Sequence, residues 1–270
     1  MDLQEIKDYF EVQLKNWDLA RNNVDALNNV KRKPFVINDF KGYVQYNSAR
    51  AVSTLAKTDK NSILERKCFL CSSNRPKEQK GIEIIQDWDL LVNPFPILPY
   101  HFTIVNKHHI VQKFDPEVGF ALADKCDDMV VFYNDDGAGA SAPDHMHFQA
   151  APITEVPLIS SIEENKKKKL ETLDLPFRIS ENPNDNILLT NPINAFFWKS
   201  KDGEIHFLGI PRKAHRPNYY YKETPLRRAV SPGALDMAGV LVTPYEEDFN
   251  NISDDEIKDI YSQVGFTDEV

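Results

Sequence analysis

The segment Asp144-His-Met-His-Phe-Gln149 constrains this chain more than any other. On a strand successive side chains alternate, so His145, His147 and Gln149 share one face while Met146 and Phe148 point into a core. Two imidazoles and an amide side by side on an otherwise apolar strand are costly to bury without partners. The pattern asks for a polar ligand. An exposed edge strand, where polar alternation is common, accounts for neither the spacing nor the small-residue turn Gly137-Ala-Gly-Ala-Ser141 that precedes it.

Around this strand the periodicities predict a mixed chain. Apolar residues at helical intervals run through residues 3 to 30, with an expected break at Asn22 and Asn23. Strands are expected over Phe35 to Tyr46, Gly81 to Val92 and Phe102 to Val105. The prolines of Asn93-Pro-Phe-Pro-Ile-Leu-Pro99 pin the connection between the last two. A helix is expected over Pro116 to Tyr133, with Asp115 as its N-cap. Further on, Ala195 to Trp198 and Glu204 to Ile210 form a hairpin, Ala238 to Thr243 a strand, and a last helix follows Ser253. Lys166 to Lys169 is expected to be a solvated charged face. His101 and His206 are expected as hydrogen-bonded structural histidines, and Cys126 as core.

The formal net charge of -9 argues against a protein that coats nucleic acid, which needs a diffuse positive field. No apolar run reaches the roughly 18 residues expected of a membrane span. The N-terminal stretch has acids within a helical pattern rather than a signal-peptide core. Two of the three cysteines form Cys68-Phe-Leu-Cys71, which points to a reducing compartment and a metal pair, with a redox pair and chance spacing as the competing readings. The expectation is a cytoplasmic protein.

The motif His145-Met-His147-Phe-Gln149 resembles the transferase branch of the histidine-triad (HIT) superfamily: galactose-1-phosphate uridylyltransferase, ATP adenylyltransferase (diadenosine tetraphosphate phosphorylase) and the GDP-sugar phosphorylases. That branch carries glutamine where the hydrolases have a third histidine. The resemblance implies that His147 is the nucleophile toward an α-phosphorus and that Gln149 holds the phosphoryl oxygens. Asn134, thirteen residues before His147, matches the family's asparagine ahead of the same turn, and Ser141 closes that turn; the resemblance makes both candidates for binding the nucleotide or its phosphates. A neutral imidazole suits the task, because one difficult displacement becomes two easier ones, and a backbone carbonyl accepting from its other nitrogen would set the tautomer.

The same resemblance completes Cys68 and Cys71 with His109 and His145 as a closed, structural zinc site, with His108 as the alternative to His109. It makes Asn74 and Arg75, after the cysteine knuckle, and Asn93 and Phe95, in the proline-rich connection, candidates for binding the nucleotide. The cluster Arg212, Lys213, His215 and Arg216 is a candidate phosphate site, since guanidinium binds phosphate bidentately; salt bridges to the abundant acids are the competing reading. Lys107 has similar standing. The Ser231-Pro-Gly-Ala-Leu-Asp236 loop has the look of a functional turn without an assignable role.

The likeness covers residues 68 to 152 by motif and is architectural beyond. It implies an α+β fold, a HIT-like antiparallel sheet with flanking helices. The whole chain, 1–270, is expected to be one unit holding two degenerate HIT-like halves, 30–157 and 186–250. Met146 and Phe148 stand where the uridylyltransferases have proline and glycine, closer to the adenylyltransferase and GDP-sugar phosphorylase patterns. The implied function is ping-pong nucleotidyl transfer from a nucleoside diphosphate sugar or dinucleoside polyphosphate to a phosphate or sugar-phosphate acceptor. The alternatives are a zinc-stabilised nucleotide-binding protein without turnover and a HIT-type hydrolase. Family members are often homodimers, but no sequence feature marks an interface.

Overall fold

Strand pairing gathers most of the chain around one antiparallel sheet. A computed structural model describes residues 1–51, 60–164 and 170–267; the expected lysine face at 166–169 lies outside them. Among the described residues, β3 (Ile82–Ile85), β4 (Trp88–Val92), β5 (Phe102–Asn106), β6 (Met129–Asn134), β7 (His147–Pro152), β8 (Ile193–Lys199) and β9 (Ile205–Pro211) pair in the order β3-β4-β5-β7-β6-β8-β9. A second sheet joins β1 (Lys31–Ile37), β2 (Phe40–Tyr46) and, parallel to β2, β10 (Val240–Thr243). The architecture is the expected α+β one, with antiparallel sheets and flanking helices.

The larger sheet is apolar on both faces, so both must be covered. Along β6, Val130 and Phe132 enter a core shared with the small sheet and the helix Asp254–Val264, while Val131 and Tyr133 enter a core shared with the helices Leu3–Asn16 and Pro116–Lys125. The Leu3–Asn16 helix starts at Asp2, whose carboxylate accepts from the Glu5 amide while Glu5 reaches back to the Asp2 amide. Its inner stripe of Ile6, Phe10 and Leu14 packs on the sheet. The Asp254–Val264 helix begins after Ser253, as expected, with the same reciprocal cap.

Several element boundaries differ from expectation. The N-terminal helical region breaks at Trp17, which is extended and buried, while Asn22 and Asn23 lie inside the second helix, Asp18–Leu27. Phe35 to Tyr46 is a hairpin rather than one strand; it turns at Asn38, whose φ is 55°. Gly81 to Val92 likewise folds back on itself beside Asp87, with φ 65°. The helix after Pro116 stops at Lys125, and Met129–Asn134 is a central strand. That apolar run satisfies either period, and its β-branched and aromatic residues favour the strand once neighbours stand on both sides. No described helix is long and apolar enough to cross a membrane.

Candidate active site and metal centre

On β7 and the residues just before it, the expected alternation is present. Met146 and Phe148 are buried in the core, where the Phe148 ring lies 5.6 Å from that of Trp88. Full burial of such a side chain contributes about 2–3 kcal/mol toward holding the strand. His145 and His147 are buried, and Gln149 is partly exposed.

His145 faces the cysteine knuckle. Its Nδ1 lies 3.3 Å from Cys68 Sγ, 3.6 Å from Cys71 Sγ and 3.3 Å from His109 Nδ1; Cys71 Sγ is 3.2 Å from His109 Nδ1. A tetrahedral zinc with sulfur at ~2.3 Å and nitrogen at ~2.0 Å spaces its ligand atoms by roughly 3.3 to 3.8 Å. These four residues thus lie close enough to hold a metal ion. His145 Nε2–H donates to the Asn106 carbonyl at 2.8 Å, which turns Nδ1 toward the thiols. His108 is exposed, with its ring 3.6 Å from Asp87, so His109 is the histidine that joins the cluster.

His147 is held differently. Its Nδ1 lies 2.8 Å from the carbonyl oxygen of His145; a carbonyl can only accept, so Nδ1 carries the proton and Nε2 keeps its lone pair. Burial pushes the imidazole pKa down to about 4, so the ring is neutral at pH 7. The backbone at this position is braced by Gln112, whose Oε1 accepts from the His147 amide and whose Nε2 donates to both the His147 and Asn134 carbonyls. Gln112 stands in for ladder hydrogen bonds where β6 and β7 diverge.

His147 and Gln149 line a cavity of about 580 Å³. Of the expected ligand-binding residues, Asn93, Phe95, Asn134, Ser141, His215 and Arg216 line it as well. The proline-rich connection forms one wall. Arg50, Asn47 and Gln45 donate to the carbonyls of Phe95, Pro96 and Ile97, groups that a chain rich in prolines leaves without ladder partners. The opposite wall is the Ser231–Asp236 loop. Gly139, with φ 94°, packs so closely beneath it that a Cβ there would lie 2.5 Å from Gly233 Cα, and Asn134 Oδ1 accepts from the Ala234 amide. The loop therefore helps to close the cavity, and it contributes Ser231, Gly233 and Asp236 to the lining. Burial raises the Asp236 carboxyl pKa to about 6, against the pull of the Val242 and Gly233 amides that it accepts from.

Other candidate residues lie away from the cavity lining. Arg212 is fully buried and does not line the cavity. Its guanidinium donates to the carbonyls of Val264, Pro232, Ala214 and His215 and to Asn194 Oδ1, so its donors are taken up inside the protein. Asn194 in turn donates to Asn134 Oδ1 at 2.9 Å. Arg212 is thus a brace behind the cavity wall. Lys213 is exposed and also off the cavity lining. Asn74 donates to the Cys68 carbonyl and ties the knuckle, and Arg75 lies 3.6 Å from Asp89; neither lines the cavity. Lys107 pairs with Glu83. Arg216 does face the cavity, bonded to Ser231 Oγ at 3.0 Å and stacked 4.2 Å from the Tyr220 ring centre. Beside it burial pushes the His215 pKa down to about 4, aided by Arg216 and Arg212.

The sequence singled out the Ser231–Asp236 loop, but not Arg50 and Arg66, both on the cavity, nor Gln112 behind His147. No local motif marks them; only the hairpin β1–β2 brings Arg50 beside Phe95.

No curated protein matches the chain. Among solved structures, yeast Ap4A phosphorylase Apa2 matches over 92% of this chain and 96% of its own, at 16% identity and a TM-score of 0.57. Its complex with Ap4A gives 16% identity, 92% and 97% coverage and 0.56; its complex with AMP gives 16%, 94% and 96%, and 0.55. At this identity the likeness establishes the fold, a HIT-like one. Over residues 9–152 the chain matches the model of the family described as a domain of unknown function, DUF4922, and it belongs to that family.

Proposed function

We propose that this protein is a nucleotidyltransferase of the phosphorylase type that works through a nucleotidyl-histidine on His147. The observation that carries the reading is the His147 tautomer. Its Nδ1–H is committed to the His145 carbonyl, which leaves the Nε2 lone pair on a neutral ring that lines the cavity beside Gln149. In the first step Nε2 attacks the α-phosphorus, the P–N bond forms, and the P–O bond to the leaving phosphate breaks, with the electron pair going to the departing oxygen. In the second, an oxygen of an acceptor phosphate attacks, the P–N bond breaks, and the imidazole is restored. Gln149 supplies an uncharged donor to the phosphoryl oxygens, and Arg216 and Arg50 supply the positive charge that a polyphosphate requires.

Apa2 has been solved with Ap4A and with AMP, which makes a dinucleoside polyphosphate the first donor to test here. With Ap4A, transfer of AMP to His147 would release ATP, and inorganic phosphate would then release ADP. A nucleoside diphosphate sugar is the second donor class. Cys68, Cys71, His109 and His145 would hold a zinc ion, whose contribution is to fix the strand end that carries His147.

The test is incubation with Ap4A and with ADP-, UDP- and GDP-sugars labelled at the α-phosphate, followed by mass spectrometry for an acid-labile adduct on His147. Label on His147 that is discharged by phosphate supports the reading. Binding without label would favour a nucleotide-binding protein, and release to water with no dependence on phosphate a hydrolase.

A further inference from the structure

Behind Gln149 stands a histidine that touches no ligand position yet decides which way the glutamine amide faces. His101 immediately precedes β5 and is fully buried. Its Nδ1 lies 3.1 Å from the Ile97 amide nitrogen, and its Nε2 lies 2.9 Å from Gln149 Oε1. A backbone N–H can only donate, so Nδ1 must be the acceptor nitrogen. In a neutral imidazole the proton then sits on Nε2, and an Nε2–H needs an acceptor. Of the two ends of the Gln149 amide only the carbonyl oxygen accepts. The chain Ile97 N–H to His101 to Gln149 Oε1 therefore has one direction, and it leaves the Gln149 NH₂ as the end free to turn toward the cavity.

We propose that His101 is a positioning residue that orients Gln149, using the tautomer imposed by the Ile97 amide to present the glutamine NH₂ to the phosphoryl group. The proposal rests on the reading of His147 and Gln149 given above. An inverted glutamine would turn a carbonyl oxygen toward phosphoryl oxygens and repel them, so orientation decides whether Gln149 helps or hinders. Burial holds His101 in the neutral form that the chain requires, with its pKa down at about 3 and with Arg50 adding to the effect. A protonated His101 would lose the bond from Ile97.

The test is a double-mutant cycle on the rate of label transfer from α-labelled Ap4A to His147, or from the sugar nucleotide that the native protein accepts. His101→Asn keeps a short amide able to accept from the Ile97 N–H but too short to reach Gln149, and its thermal midpoint is measured alongside to show that the fold is kept. We expect His101→Asn to slow labelling about tenfold to a hundredfold with nucleotide affinity little changed. In a Gln149→Ala background the same substitution should cause no further loss. Additive losses in the double variant, or a native rate from folded His101→Asn while Gln149→Ala is slow, would overturn the positioning role alone. A native rate from Gln149→Ala would remove the role of Gln149 and this proposal with it. Should His101→Asn not fold, long-range nitrogen–proton NMR of the native protein decides the matter: a single Nε2–H tautomer for His101 between pH 6 and 8 is expected, and an Nδ1–H tautomer refutes the chain.

Discussion

The Nδ1–H of His147 is donated to the carbonyl oxygen of His145, at 2.8 Å. One residue thus serves two places at once, because the His145 ring lies among Cys68, Cys71 and His109 while its main chain sets the His147 tautomer. Cys68, Cys71, His109 and His145 are thus linked, through two residues of backbone, to the hydrogen bond that leaves the lone pair on His147 Nε2.

That coupling gives the first prediction. Purified protein should hold about one zinc ion per chain, and His109→Ala should lose it while His108→Ala keeps it, since of these two rings it is that of His109 that reaches the Cys71 thiol. Loss of metal from His109→Ala should lower thermal stability and labelling of His147 together. Metal analysis that finds native zinc content in His109→Ala would refute the ligand set and leave His147 untouched.

Gln112 is the second case. Its side chain satisfies three backbone groups where β6 and β7 part, and it is itself buried. Gln112→Leu fills the space but leaves those groups without partners, so it should cost about 2–4 kcal/mol in urea unfolding. Labelling of His147 should fall as well, because the backbone of this residue is no longer held. A variant as stable as the native protein would show that water or local rearrangement satisfies the groups.

The third prediction concerns pH. His101 has a folded pKa of about 3, below an unfolded value of about 6.5, so the folded state binds fewer protons between these limits. Its contribution to stability is therefore complete above about pH 6.5 and is lost as pH falls, by up to about 1.4 kcal/mol per pH unit. The groups facing it are the Ile97 amide, the Gln149 amide and Arg50. Urea unfolding of the native protein should steepen in its pH dependence below 6.5, and His101→Asn should be flatter by about one proton. Parallel curves for the two proteins would mean that the buried ring does not titrate as its surroundings imply.

What could be read beforehand depended on how local each signal was. The alternation His145-Met-His147-Phe-Gln149 needs nothing beyond the strand, and it led directly to the residues that face the cavity and the cysteine knuckle. The spacing of Cys68 and Cys71 was equally local, but the choice between His108 and His109 needed the turn after β5. The place of Arg212 was not legible because a run of cations looks the same in sequence whether it faces solvent, phosphate or the interior; its burial follows from the Val264, Pro232 and Asn194 groups, distant in the chain. Residues Met129 to Tyr133 fit a helix in isolation and became a strand because β7 and β8 flank them. Arg50, Gln112 and the link from His101 to Gln149 have no local signature at all.

Burial separates Arg212 from Arg216, which lines the cavity. Arg212→Ala removes a buried hub and leaves four carbonyls and Asn194 Oδ1 without it, so it should destabilise the fold by about 3 kcal/mol or more. Arg216→Ala should leave stability within about 1 kcal/mol but raise the apparent KM for the phosphate acceptor more than for the nucleotide donor. Equal stability losses in the two variants, or unchanged acceptor kinetics in Arg216→Ala, would return Arg216 to a structural role.

Replacement of His147 by glycine gives the most direct test of the chemistry. The strand should survive it, because Gln112 bonds the main chain of residue 147 and Met146 and Phe148 keep their places in the core. The substitution opens a space the size of an imidazole beside Gln149, bounded by the same carbonyl of His145 that fixed the native tautomer. No covalent label should form. A nucleoside phosphorimidazolide carries the missing ring already joined to phosphorus, and its imidazole can occupy that space. His147→Gly should therefore transfer the nucleotide from adenosine 5′-phosphorimidazolide to inorganic phosphate, giving ADP and free imidazole, while remaining inert toward the intact donor. His145→Gly should not be rescued, since it also takes a ring out of the cysteine cluster. Gln149→Ala placed in the His147→Gly background should slow the rescued reaction on the order of a hundredfold, because the role proposed for the glutamine, donation to the phosphoryl oxygens, does not depend on which imidazole bears the phosphorus. Turnover of an intact donor by His147→Gly at the native rate would refute the covalent route altogether.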